Sequence, residues 1–230
     1  MIKSFLIMTS FSILLFSSQQ IVLVVADDMN SSQAKLECYE ASQKAFETMH
    51  VNLGKNGLGW GVESEQFTKN PDDALKYEGD KKAPAGIFRL SNIFGYAQKS
   101  NYNVPYLYTA KNLICIDDTH SNFYNQIIMA HGDEKSFEYM KRDDAQYKLG
   151  IVVDYNKKAL KDRGSCIFMH IERAPNSTTV GCTSMSEKNI QKIANWLDKR
   201  KNPILIQIPK KSAKEVLKLY PQLKNSELLK

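Results

Sequence analysis

The chain has 230 residues, 43% hydrophobic and 24% charged, enough apolar material for one full core and too much for a disordered polymer. Its 31 basic residues against 25 acidic ones leave a formal charge of +6, a modest excess that suits an anionic polymer as partner. No basic cluster is interleaved with aromatic residues, which argues against nucleic acid.

The N-terminus opens with Lys3, runs apolar from Phe5 to Phe16 and ends in Ser17-Ser18-Gln19-Gln20. That is the layout of a signal peptide, so residues 1–18 are expected to be removed on export to the periplasm or cell wall. The run is too short for a stable membrane span. Short strands are expected at 21–26, 51–53, 86–90, 113–116, 150–155, 165–171 and 204–208, where β-branched or aromatic runs sit beside Gly, Pro, Asn or Asp. Between the second and third lies a Gly-rich, then charged stretch, residues 54–82. It reads as a long surface insertion with too few apolar residues to form a core layer. Its glycines lack a Gly-Lys-Ser/Thr ending and a following helix, so it does not read as a nucleotide loop.

Helices are few. Phe137, Met140 and Tyr147 share a helical face over 136–147. The clearest helix covers 184–199, with Ser184 and Glu187 spaced as a capping box and Ile190, Ile193, Ala194 and Leu197 forming an apolar stripe. Residues 210–230 read as a basic amphipathic extension, with a second box at Ser212 and Glu215 and a break at Pro221. The expected fold is α+β and mainly β: two small packed mixed sheets, sandwich- or barrel-like, with a few peripheral helices on a single domain over 21–209.

The chemistry concentrates between His170 and Cys182. An apolar run ends on His170; a polar loop with Pro175, Asn176 and Ser177 turns the chain; Thr179-Val180-Gly181 then leads to Cys182 just before the helix pattern. An imidazole there can take the thiol proton, and the thiolate can attack a carbonyl. Gly181 permits a tight turn, and the amides around Cys182 are candidate oxyanion donors. A helix starting two residues later would favour the thiolate. The residues alone favour a buried cysteine near a hydrogen-bonded core histidine over a catalytic pair. Of the four cysteines, Cys38, Cys115 and Cys166 leave room for at most one bridge if Cys182 stays free. Cys166, at the same strand parity as His170, reads as a neighbour of the site or a small buried hydrophobe. No cysteine or histidine spacing suits zinc.

Thr179-Val180-Gly181-Cys182, after a histidine that ends a strand, resembles the Ser-x-Gly-Cys signature of the L,D-transpeptidase catalytic-domain family. Ala83-Pro84-Ala85-Gly86-Ile87-Phe88 resembles that family's Thr-Pro-x-Gly-x-Phe strand opening, and Gly54-Lys55 its preceding Gly-Lys. The similarity runs from about residue 21 to 209. It implies Cys182 as nucleophile, His170 as base, Gly181 at the turn, and a backbone carbonyl around Thr179 to orient the imidazole. It also implies peptidoglycan stem peptides as partners, no metal or organic cofactor, and a thioester on Cys182 passed to an amine as a 3–3 crosslink. With water as acceptor the same site would be an L,D-carboxypeptidase or amidase; without chemistry, a wall-binding module. The chain departs from the pattern at Ile171, where Gly is usual, and at Thr183 and Ser184, where an aliphatic residue and Arg are usual. Arg173 is the nearest replacement for that cation, and Tyr155 and Asn156 are candidate linings of the donor groove, with turn and strand-end roles the favoured alternative.

Overall fold

The computed structural model describes residues 18–230, so the expected signal peptide lies outside the described residues but for Ser18. Fourteen strands follow in chain order: β1 (Gln20–Ala26), β2 (Gln33–Glu40), β3 (Gln43–Lys44), β4 (Met49–Asn52), β5 (Leu58–Trp60), β6 (Ala83–Gly95), β7 (Tyr106–Tyr108), β8 (Leu113–Ile116), β9 (Ile127–Met129), β10 (Phe137–Tyr139), β11 (Leu149–Val153), β12 (Phe168–Ile171), β13 (Thr183–Met185) and β14 (Ile204–Pro209). The helices are α1 (Glu187–Trp196) and α2 (Ala213–Leu219).

The expected mainly-β, two-sheet architecture is present, with unequal sheets. In the larger one β1, β14, β6, β11, β12, β13, β4 and β2 pair in that order, and β2 returns to β1 to close a ring. Closure leaves none of these ladders an open edge. The ring is mixed: β1–β14 and β12–β13 are parallel, whereas β6 is antiparallel to β14 and β11. All seven residues of β1 are buried, as its Ile-Val-Leu-Val-Val run requires of a strand covered on both faces. The smaller sheet, β10–β8–β9, is antiparallel.

Three expectations are corrected here. The first is the helix over 136–147. Phe137–Tyr139 is a strand, because its backbone pairs with β8 and its two aromatic rings meet edge to face on one side of it. The second is the stretch 54–82. It carries β5 alongside β6 and buries Leu58, Trp60 and Phe67 in the main core. Trp60 stacks on Phe67 and donates its indole N–H to Asp73 at 3.0 Å, so few apolar residues suffice to fasten the segment. The third is the pair of caps. Ser186, not Ser184, caps α1, accepting from the Asn189 amide at 3.3 Å, because Ser184 is taken up by β13. Ser212 makes no side-chain cap bond, and Glu215 instead accepts from the Thr68 amide at 2.8 Å.

The C-terminal stretch is also more than a surface appendage, since Val216, Leu223, Leu228 and Leu229 join the main core. A buried carboxylate ties it down. Glu37, fully shielded on β2, accepts from the hydroxyls of Tyr39 (2.8 Å), Ser226 (2.6 Å) and Thr48 (3.1 Å) and from the Lys44 ammonium (2.7 Å). Burial alone would raise its carboxyl; these donors outweigh burial and hold it below the ordinary value of 4.5. Its contribution to stability is therefore complete above that value and is lost as the pH falls through the depressed one. Glu37→Ala strips an acceptor from four donors and should cost about 3 kcal/mol in urea unfolding. The deficit should narrow below pH 4, where the wild type loses the same charge. A variant as stable as wild type at pH 7 would show that the network does not hold the C-terminus.

Candidate active site

Two segments far apart in sequence meet under the loop that carries Cys182. The Thr179 amide donates to Leu53 O and the Lys55 amide to Thr179 O, both at 2.9 Å, so the Gly54-Lys55 turn and the loop form a small ladder. Thr179 also fixes the turn from within: its hydroxyl donates to Cys182 O at 2.7 Å and accepts from the Gly181 amide at 3.1 Å. Gly181 has φ +153, and a Cβ there would stand 3.2 Å from Lys82 O, so a glycine is needed on both counts.

Cys182 is 4% exposed and lies in a second, smaller core with Phe94, Tyr147 and Phe168. Its sulfur accepts from the Phe168 amide at 3.4 Å and donates to Cys166 O at 3.6 Å. Burial first, then the charge of Glu138, pushes the thiol up to about 12. The helix-dipole expectation therefore fails. Strand β13 intervenes, α1 begins only at Glu187, and desolvation dominates.

His170, also 4% exposed, is the penultimate residue of β12, in register with Ser184 on β13, the strand that Cys182 immediately precedes. Its Nδ1 is 2.8 Å from Ile171 O. The orienting carbonyl is thus that of Ile171, not one around Thr179, whose carbonyl is spent on Lys55. In the tautomer that satisfies Ile171 O, Nδ1 carries the proton and Nε2 the lone pair. Burial holds the imidazole down at about 4, so it is neutral over the physiological range. The Tyr147 ring meets it edge-on, with centroids 5.3 Å apart.

His170 and Cys182 line one cleft of about 300 Å³, together with Tyr147, Thr178 and Thr179. Its rim is cationic, with Lys55, Lys81, Arg142 and Arg173 against the single carboxylate of Glu138. Arg142 is committed: its guanidinium grips Asp144 (Nε–Oδ1 3.0 Å, Nη2–Oδ2 2.6 Å) and lies 5.1 Å over the Tyr147 ring. Arg173 is exposed and forms no ion pair among the described residues. A second cavity of about 240 Å³ lies behind the sulfur, lined by Lys76, Glu78, Asp117, Glu138 and Cys166. Cys166 is disulfide-bonded to Cys115, which leaves Cys38 and Cys182 as the free cysteines. Cys166 is thus buried and a neighbour of the site, as expected, and it supplies half of the one bridge that the cysteine count allowed. Among the described residues, no group of three or more His, Cys, Asp or Glu side chains is arranged for a metal ion.

Tyr155 and Asn156 do not line the cleft. Both are buried, and both close the loop behind β11: the Tyr155 hydroxyl donates to Arg163 O, and the Asn156 amide donates to Leu160 O (3.0 Å) and Gly164 O (2.9 Å). Glu138, Arg142 and Lys81, which do line it, escaped the sequence reading. Glu138 and Arg142 fell in the supposed 136–147 helix, and Lys81 in the supposed insertion.

The sequence model of the YkuD L,D-transpeptidase catalytic domain matches residues 21–206. Comparison with curated proteins finds no match. Among solved structures, a point mutant of the helical cell shape determining protein Pgp2 from Campylobacter jejuni is similar at 14% identity with a TM-score of 0.41. The similarity covers 88% of this chain and 53% of that one, so this chain spans about half the length of its structural neighbour. The family match runs through the Gly54-Lys55 turn, through β6 and through the whole His170–Cys182 loop, and on that span the chain belongs to the YkuD family of L,D-transpeptidase catalytic domains.

Proposed function

We propose that this protein is an exported cysteine acyltransferase acting on peptidoglycan stem peptides, with Cys182 as nucleophile and His170 as base. The observation that carries it is an imidazole pinned at Nδ1 to Ile171 O, its other nitrogen unprotonated, in the same cleft as the thiol. His170 Nε2 takes the thiol proton as sulfur attacks the carbonyl before the terminal D-alanine. The C–N bond breaks, and the leaving amine takes the proton from the imidazolium. The Gly181 amide is occupied by Thr179, so the Cys182 amide is the candidate donor to the oxyanion. An amine from a second stem then resolves the thioester; water in its place would give the hydrolase.

The cationic rim supports a donor that carries carboxylates. Arg142 is held by Asp144, which leaves Arg173 as the side chain best suited to replace the cation missing at Ser184. Export rests on the layout of residues 1–18. Among the described residues, no helix is long and apolar enough to cross a membrane.

Intact-mass measurement with a tetrapeptide stem, followed by an amine acceptor, tests the reading. A stable adduct on Cys182 that decays to a crosslinked product supports it; binding of wall fragments with no adduct at any time defeats it. Cys182→Ala should remove the adduct entirely, and His170→Ala should slow its formation by about 10²–10⁴-fold.

Acylation should also be nearly flat with pH from 6 to 8. With the thiol near 12 and the imidazole near 4, the resting pair is neutral throughout that range. The rate should fall only as the pH drops toward 4 and the base is protonated. A steep rise with pH through 7 would point to a thiolate–imidazolium pair instead.

Arg173→Ala should raise the donor concentration needed by about tenfold, on the scale of a lost charged hydrogen bond. The rate of thiol alkylation by iodoacetamide should stay unchanged. Unaltered donor kinetics would make Arg173 an ordinary solvated charge.

A further inference from the structure

Glu138 is a carboxylate that the acylation step does not use, and it stands between the two cavities that meet at Cys182, lining both. Its position is fixed by strand pairing and a disulfide. On the small sheet Glu138 is in register with Cys115, Cys115 is bonded to Cys166, and Cys166 O accepts from the Cys182 thiol at 3.6 Å. From the other side the Tyr147 hydroxyl donates to Glu138 Oε2 at 2.7 Å.

The rear cavity differs from the cleft in charge. Three carboxylates, Glu78, Asp117 and Glu138, line it against two ammonium groups: Lys76, already paired with Asp80 at 2.6 Å, and Lys81, which it shares with the cleft. Asp117 Oδ1 is buried with no hydrogen-bond partner. Such a chamber favours an ammonium, whereas the cationic rim on the front side favours carboxylates.

We propose that Glu138 is a second catalytic base, the group that takes the surplus proton from the incoming ammonium in the amine-transfer half-reaction. The assignment rests on the acyltransferase reading above. An ammonium of the form R–NH₃⁺ must lose two protons to become an amide nitrogen. Glu138 takes the first and frees the lone pair, which attacks the thioester carbonyl as the C–N bond forms. His170 takes the second from the tetrahedral adduct and returns it to sulfur as the C–S bond breaks. The amide, the Cys182 thiol and a protonated Glu138 remain, and Glu138 releases its proton to solvent. Burial holds the Glu138 carboxyl above its ordinary value, while burial holds the imidazole below its own. The carboxylate is therefore better matched to the first transfer than its position as an acid would suggest.

The two half-reactions separate the roles. With a tetrapeptide stem as donor, Glu138→Gln should form the Cys182 adduct within about threefold of the wild-type rate, since the amide oxygen still accepts from Tyr147. Transfer to glycinamide should then fall about 100-fold, so that the adduct accumulates in the intact-mass spectrum. Hydroxylamine, which is neutral at pH 7 and has no surplus proton, should discharge the adduct in variant and wild type alike. Normal transfer to glycinamide, or a failure of hydroxylamine to restore turnover, would overturn the assignment. If the Gln variant forms no adduct, the comparison moves to Glu138→Asp, which keeps the carboxylate. That variant should transfer to glycinamide more slowly than wild type yet respond normally to hydroxylamine; equal rates with both amines would count against Glu138. No adduct on the wild type would defeat the acyltransferase reading and this assignment with it.

Discussion

A β-sheet can bury its inner face only by stacking on something or by curling on itself, and this chain takes the second course. The return of β2 to β1 makes the ring, and most other features depend on that closure. It gives β1 a partner on each side, which is why that strand is apolar along its whole length. It sets β12 and β13 side by side in parallel, so that His170 and the residues after Cys182 leave the barrel wall at neighbouring points. The loop between them has only to be pinned, and Leu53, Lys55 and Thr179 pin it through the backbone. The site's geometry is thus inherited from the rigid wall, and side chains supply only the final adjustments.

The same wall decides the electrostatics. Both reacting groups are nearly inaccessible, and desolvation acts on them in opposite directions, raising the thiol and lowering the imidazole. The resting Cys182–His170 pair holds no separated charge, so charge develops on it only when substrate displaces solvent and a proton moves. The permanent charges stand at the margin, where Lys55, Lys81 and Arg173 remain solvated. A buried neutral centre inside a charged rim avoids the desolvation of a permanent ion pair.

Legibility in the sequence followed the range of the interactions. Strands β1, β8, β12 and β14 were visible because their β-branched or aromatic runs are local signals, and the loop from His170 to Cys182 was visible because both ends lie within one short stretch of chain. Strand β2 was not seen. Gln33–Glu40 alternates in the expected way, but its inward Glu37 looks like a solvent residue until the donors from 39, 44, 48 and 226 are known. Phe137–Tyr139 has helical and extended readings of similar quality, and only pairing with β8 decides between them. Tyr155 and Asn156 looked like groove residues because polar side chains after a strand often face a ligand. Here they satisfy buried carbonyls of their own loop instead. Glu138 carried no local mark at all, since its place beside Cys182 is set by a disulfide whose halves are 51 residues apart.

That disulfide bears on more than position. Before oxidation, the chain brings three sulfurs, those of residues 115, 166 and 182, into one small core, and any two of them are potential partners. Joining Cys115 to Cys166 leaves Cys182 as the remaining thiol there; joining Cys182 to either one would consume the proposed nucleophile. In the folded chain the burial that keeps the Cys182 thiol protonated also slows its attack on the neighbouring disulfide, because exchange proceeds through the thiolate. Desolvation therefore acts as a protecting group in the finished fold, keeping the proposed nucleophile from exchanging with the bridge beside it.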